Sequence, residues 1–191
     1  MLLKKIRIDR RSAYTFVDVF LALRLLEKEP LGRFSFMKRV GLGEATAKTL
    51  MKRLTAEGLA RTTTKGQVLT AKGEKTVNII GRRISQPVEM NIESLDKQQS
   101  IVLVVKQSAK KVKMGIEQRD EGMKFGARVA TLVFSGGRLL MPGCDGYEME
   151  GLEKICRLFS LREKDTVIIS SGKKGSRERG AVAAALTLVD V

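Results

Sequence analysis

Glycines set the frame of the first half of this chain. Gly41-Leu42-Gly43 breaks any helix that runs into it, and Gly58 sits where a helix would end. Between them Ala47, Leu50, Met51 and Leu54 recur at spacings of three and four, which predicts a helix over 44–57 with one buried face. Upstream, Thr15-Phe16-Val17-Asp18 reads as an N-cap with an acid three residues on. It opens a helix that runs to about Glu29 and stops before Pro30. Gly32-Arg33-Phe34 reads as a short extended piece, and Ser35 as the cap of a brief helix, 36–40. Downstream, 59–64 and 67–70 are short strand-like runs joined by the turn Thr64-Lys65-Gly66. A further helix follows Thr70, with Val77, Ile80 and Ile84 at core spacing.

The first helix is apolar nearly all round. Phe16, Val17, Val19, Phe20, Leu21, Leu23, Leu25 and Leu26 cover more than one face, so burial on several sides is expected, against its own core and against a second domain or subunit.

The second half reads differently. Residues 86–100 are polar and weakly periodic, as in a linker or an irregular edge. Then come a buried-type strand (101–106), a helix between glycines (115–126), and a strand (129–134). The turn Ser135-Gly136-Gly137 leads to a paired strand (138–141). An amphipathic helix (148–159), a strand (166–170) and a final helix from Ser176 through 181–189 complete the order. That is β-α-β-β-α-β with a closing helix, an order a ferredoxin-like split β-α-β satisfies. The expected class is α+β, with domains over 1–85 and 86–191 divided just before Pro87.

Charge follows that division. Residues 1–85 hold 19 Lys and Arg against 7 Asp and Glu, and the remainder 17 against 14, so +12 of the net +15 lies in the first part. A local excess of this kind points to a polyanion: DNA, RNA or a membrane surface. Solubility is the plain alternative. The chain has no histidine, which removes Ser-His-Asp triads and His-ligated metals. Cys144 and Cys156 make neither a zinc site nor a disulfide framework and fit a reducing cytoplasm. The first residues lack the apolar block of a signal peptide, and the most apolar stretch, 181–189, is far shorter than the roughly 20 residues that span a bilayer.

Helix, short helix, turn, helix, hairpin is the winged helix-turn-helix order. The run Gly41-Leu42-Gly43-Glu44-Ala45-Thr46-Ala47-Lys48-Thr49-Leu50-Met51-Lys52-Arg53-Leu54, then Gly58-Leu59, then Leu69-Thr70-Ala71-Lys72-Gly73, resembles winged-helix transcription factors over about residues 12–84. The resemblance implies that the third helix enters the major groove and that the hairpin tip touches backbone or minor groove. With Ala47, Leu50, Met51 and Leu54 inside, the outer face is Ala45, Thr46, Lys48, Thr49, Lys52 and Arg53. Ala45, Thr46 and Thr49 permit close approach to base edges, Lys48 reaches a guanine or a phosphate, and Lys52 and Arg53 suit phosphates. Lys65 stands at the hairpin tip beside Arg61 and Thr62 to Thr64. Glu44 is at odds with this face unless it serves the helix N-terminus.

Two places in the second half are candidates for a small anionic effector. Ser170-Ser171-Gly172-Lys173-Lys174-Gly175-Ser176-Arg177 is a Gly/Ser/Lys loop between strand and helix, without Walker spacing. From it Ser171, Gly172, Lys173 and Arg177 are candidate ligands. Gln118-Arg119-Asp120-Glu121 offers Arg119. A solvated loop and a solvated helix face are the alternatives. The loop around Cys144 reads as a turn or as a reactive-thiol loop. The Gly-Ile-Glu-Gln-Arg-Asp-Glu stretch, Phe125-Gly126-Ala127 and the Ser-Ser-Gly…Glu-Arg-Gly-Ala end make the whole chain similar to an archaeal family of small regulators, a winged helix followed by an α/β domain; that resemblance implies no ligand.

The expectation is a cytoplasmic, dimeric DNA-binding transcriptional regulator. It is not an enzyme, uses no cofactor or metal, binds double-stranded DNA and a small anionic effector, and has no membrane association. Two alternatives stay open. One is a nucleotide-using enzyme with a winged-helix appendage, the layout of some archaeal riboflavin kinases, whose catalytic half is a β-barrel. The other is an RNA- or protein-binding adaptor that docks through its first helix.

Overall fold

The structure is a computed structural model that describes residue 8 and residues 12–92, 99–144 and 152–189. The chain forms two compact units, Met1–Ile80 and Gly81–Asp190. It is mixed helix and sheet, α+β.

In the first unit the order is α1 (Phe16–Leu26), α2 (Arg33–Val40), α3 (Glu44–Ala56), β1 (Ala60–Thr63), β2 (Gly66–Leu69) and α4 (Ala71–Gly81). Asp18, fully buried, accepts hydrogen bonds from the Thr15 N–H at 2.7 Å and the Thr15 hydroxyl at 3.0 Å, which closes the start of α1. The helix stops at Leu26, short of the limit that Pro30 alone sets. Helix α2 begins at Arg33, ahead of the Ser35 cap expected from the sequence. Gly32 is in extended conformation at the N-cap, and its carbonyl accepts from the Phe36 N–H at 2.9 Å. The core gathers Phe20, Leu23, Phe36, Val40, Ala47, Leu50, Leu54, Leu59, Val77 and Ile80, all buried.

Beside the hairpin β1–β2 lies a further piece of extended chain, joined by an antiparallel bridge between Leu31 and Gln67. Gly66 has φ +118°, and a Cβ there would lie 2.5 Å from the Leu31 carbonyl carbon, so only glycine lets the hairpin meet that segment. The closing Leu-Thr-x-x-Gly run has an equally physical cause. Thr70 donates to the Gly58 carbonyl at 2.6 Å and accepts from the Gly73 N–H at 3.1 Å. A Cβ on Gly73 would meet the Leu59 oxygen at 2.0 Å.

The second unit runs β3 (Val88–Asn91), β4 (Gln99–Val105), a 3-10 turn (Ala109–Lys111), α5 (Ile116–Met123), β5 (Arg128–Ser135), β6 (Arg138–Leu140), α6 (Glu153–Leu158), β7 (Thr166–Ser171) and α7 (Ser176–Thr187). Its sheet is antiparallel throughout, in the order β3-β4-β7-β5-β6. One face, with Val102, Val104, Leu132, Val167 and Ile169, covers Leu152 and Ile155 at α6. The alternate residues face the side where α5 and α7 pack. Asp165, fully buried, accepts from Lys106 Nζ at 2.9 Å and from the Gln107 and Arg162 N–H groups at 3.0 Å, anchoring the start of β7.

Two expectations are corrected here. Residues 88–91, read as a linker or an irregular edge, form a regular edge strand; four residues are too short a run for alternation to declare itself. The ferredoxin-like expectation fails on strand order. Strands β4 and β5 do run parallel with a strand between them, as in a split β-α-β, but that strand is β7. The hairpin strand β6 stays at the edge. The early part of the helix expected over 148–159, and the part of the Cys144 loop beyond that residue, lie outside the described residues.

Candidate nucleic-acid interface

Helix α3 separates its residues by depth. Ala47, Leu50 and Leu54 are buried. Ala45, Lys48, Thr49 and Lys52 are exposed, and their spacing of three, four and seven makes one continuous outer stripe. The Thr49 hydroxyl donates to the Ala45 carbonyl at 2.9 Å. What the side chain leaves open is an acceptor oxygen and a methyl.

Two other expected residues sit differently. Thr46 is half-buried on the flank. Arg53 is also half-buried and turns along the helix to pair with Glu57 at 2.8 Å. The outer-face reading of Arg53 is thus corrected: its guanidinium is paired with Glu57 just past the end of α3, beyond the end of the stripe. Glu44 finds its place at the first turn, where an acid is favoured, and lies 3.6 Å from Arg33.

The hairpin tip exposes Lys65, with Arg61, Thr62 and Thr64 also exposed around it. The turn is held from within. Thr63 donates to the Gly66 carbonyl at 2.8 Å, and the Lys65 N–H donates to the Thr63 hydroxyl at 3.3 Å.

Gln67 is the residue that sequence reasoning missed. It is buried, and its Nε2 donates to the Met51 carbonyl at 2.9 Å and to the Thr55 hydroxyl at 3.0 Å. One amide thereby fixes β2 to the last turns of α3 and sets hairpin and helix in one geometry. Its signal is present in the sequence: Gln67 and Leu69 share the inward face of β2, so a polar side chain stands at a core position.

The anion candidates in the second unit fare otherwise. Ser171 is buried. Gly172 is half-buried, and Lys173, Lys174 and Gly175 are the exposed part of the loop. Arg177 is buried, pairs with Glu89, and donates to the Gln99 carbonyl at 3.1 Å. The Gly175 N–H donates to the Glu178 carboxylate, so the α7 N-terminus carries its own acid. The reading of Arg177 as an anion ligand is therefore corrected to a brace between α7, β3 and the start of β4. Arg119 stands on α5, where it binds the adjacent Asp120 at 3.0 Å.

Cys144 is exposed and Cys156 half-buried; burial, then the Glu153 charge, pushes the Cys156 thiol above its usual range. Among the described residues no three Cys, Asp or Glu side chains gather as a metal group, and no helix is long and apolar enough to cross a membrane.

The family model described as PH0730-like, N-terminal domain matches residues 15–75, and the one described as Domain of unknown function (DUF4443) matches residues 96–188. No curated protein matches. Among solved structures, hypothetical protein PH0730 from Pyrococcus horikoshii OT3 is similar at 29% identity and TM-score 0.76, over 92% of this chain and 92% of that one. S. agalactiae BusR in complex with its busAB-promotor DNA aligns over 91% of this chain and 98% of that one, at 11% identity and TM-score 0.26, too low to carry an argument.

Proposed function

We propose that this chain is a DNA-binding transcriptional regulator. Its first unit acts as a winged helix-turn-helix, with α3 in the major groove and the β1–β2 tip on the backbone. The observation that carries the reading is the exposed stripe Ala45, Lys48, Thr49 and Lys52, held by Gln67 in fixed relation to Lys65, within the half of the chain that carries +12. In this reading Lys48 donates to a guanine edge, Thr49 accepts from an amino group or touches a thymine methyl, and Lys52 and Lys65 neutralise phosphates. Thr46 and Arg53 support the stripe from its flank. Two copies then read half-sites about one helical turn, roughly 34–36 Å, apart. The second unit supplies association and the response to an effector.

The test is duplex binding by fluorescence anisotropy across a range of salt. Affinity should fall steeply with salt, by about 0.9 in logarithmic slope for each phosphate neutralised. Lys52→Ala should lower that slope by about 1, and Lys48→Ala should in addition flatten sequence preference. Binding without salt dependence, or unchanged in both variants, would defeat the reading.

A further inference from the structure

We propose that a second copy of this chain docks antiparallel along the outer face of α5, through a two-fold seam centred between Arg119 and Asp120. The inward face of α5 is already taken. Gln118 is buried and donates to the Thr187 hydroxyl at 2.6 Å, and a Cβ on Gly122 would lie 2.2 Å from Val129. Helical spacing then turns Ile116, Arg119, Asp120 and Met123 to the opposite side. That side is open and unusually apolar. Ile116 is 47% exposed, Met123 60% and neighbouring Met114 61%, so three of the five large exposed apolar side chains among the described residues fall within ten positions.

What identifies the occupant is the order of residues along the helix. About a point midway between Arg119 and Asp120, Ile116 is the mirror position of Met123 within the helix; just beyond its ends, Met114 precedes it and half-buried Phe125 follows it. An antiparallel second copy therefore sets apolar against apolar at both ends, and Arg119 of each copy against Asp120 of the other, in the centre. A parallel copy would set Arg119 against Arg119 and Asp120 against Asp120, which repel. Within one chain Arg119 and Asp120 bind each other at 3.0 Å, each 54% exposed, a pair that solvent keeps weak and ready to exchange partners. Such self-complementarity is what an isologous two-fold contact requires. A seam of four or five side chains per copy stands at the small end of specific interfaces, under about 1,200 Å². The seam locates the association that the half-site reading calls for, but it is measured without DNA, so its failure is distinct from a failure of DNA binding.

The experiment is sedimentation equilibrium of the full chain from about 1 µM to about 1 mM, the range where small interfaces dissociate. A monomer–dimer equilibrium is expected. Arg119→Asp and Asp120→Arg, both surface changes, should each weaken it about tenfold or more. An equimolar mixture of the two variants should associate again, because one chain then carries two acids at the seam and the other two bases. Met123→Glu should also abolish the dimer. A wild type that stays monomeric throughout, a dimer indifferent to these variants, or a mixture that fails to associate would overturn the seam.

Discussion

Helices α3 and α7 begin alike. Each starts after a glycine, each holds an acid in its first turn, and each has basic residues in or near its first turns. Their uses diverge completely. In α3 Glu44 lies near Arg33 at the surface, and Lys48 and Lys52 project into solvent. In α7 Glu178 folds back on the Gly175 N–H, and Arg177 turns inward to Glu89 and Gln99. The difference comes from what lies across from each helix. A chain segment that supplies a carboxylate and a carbonyl captures a guanidinium; a solvent-facing stripe leaves its lysines for a ligand. Residue type near a helix start therefore says little about anion binding until the opposing segment is known.

The comparison can be broken or sharpened by substitution. The largest effect belongs to neither helix but to the glycine that lets the first unit close. Gly73→Val drives a side chain into the Leu59 carbonyl, and urea unfolding should show a loss of about 3 kcal/mol or more. Arg177→Met should cost about 2 kcal/mol in the same assay, while duplex affinity stays unchanged. An affinity loss with stability intact would instead make Arg177 a ligand residue. Gln67→Leu removes two hydrogen bonds from a buried amide and should cost about 1 kcal/mol in stability. It should also weaken duplex binding, since hairpin and α3 lose their common anchor. Smallest in stability is Lys65→Ala, within about 0.5 kcal/mol of wild type, and its binding should show a salt slope lower by about 1, the share of a single phosphate.

Local grammar makes the first unit legible. The Thr15–Asp18 cap, the Gly41 turn, the Ala47-Leu50-Leu54 face and the Leu69-to-Gly73 closure each act within a few residues, so each is written in the spacing. Arg53 escapes because a helix face is about 100° wide and Arg53 stands at its margin, where Glu57, one turn on, captures it. The second unit hides more. Its helices and most of its strands are visible, yet the place of β7 between β4 and β5 is a pairing of distant segments that no local pattern encodes. Val88-Glu89-Met90-Asn91 becomes a strand only because β4 lies beside it. With that strand unseen, the partner of Arg177 is unseen too, and the side chain reads as a loop cation. The seam on α5 is half visible: Gln-Arg-Asp-Glu stands out as a polar run, while its mirror order needs the buried positions of Gln118 and Gly122 to fix which face is outside.

The most direct measurement is selection of genomic duplex fragments at about physiological salt, where specific binding typically exceeds nonspecific binding by about a thousandfold or more. Three purified proteins are compared: the wild type, the double variant Lys48→Ala/Lys52→Ala, and the double variant Lys173→Ala/Lys174→Ala. Each variant removes two exposed lysines, so the two have equal net charge. The account predicts a shared sequence enriched by wild type, kept by the Lys173/Lys174 variant and lost by the Lys48/Lys52 variant. Equal loss in both, or no enrichment by wild type, would contradict it and reduce the basic half to a generic polyanion surface.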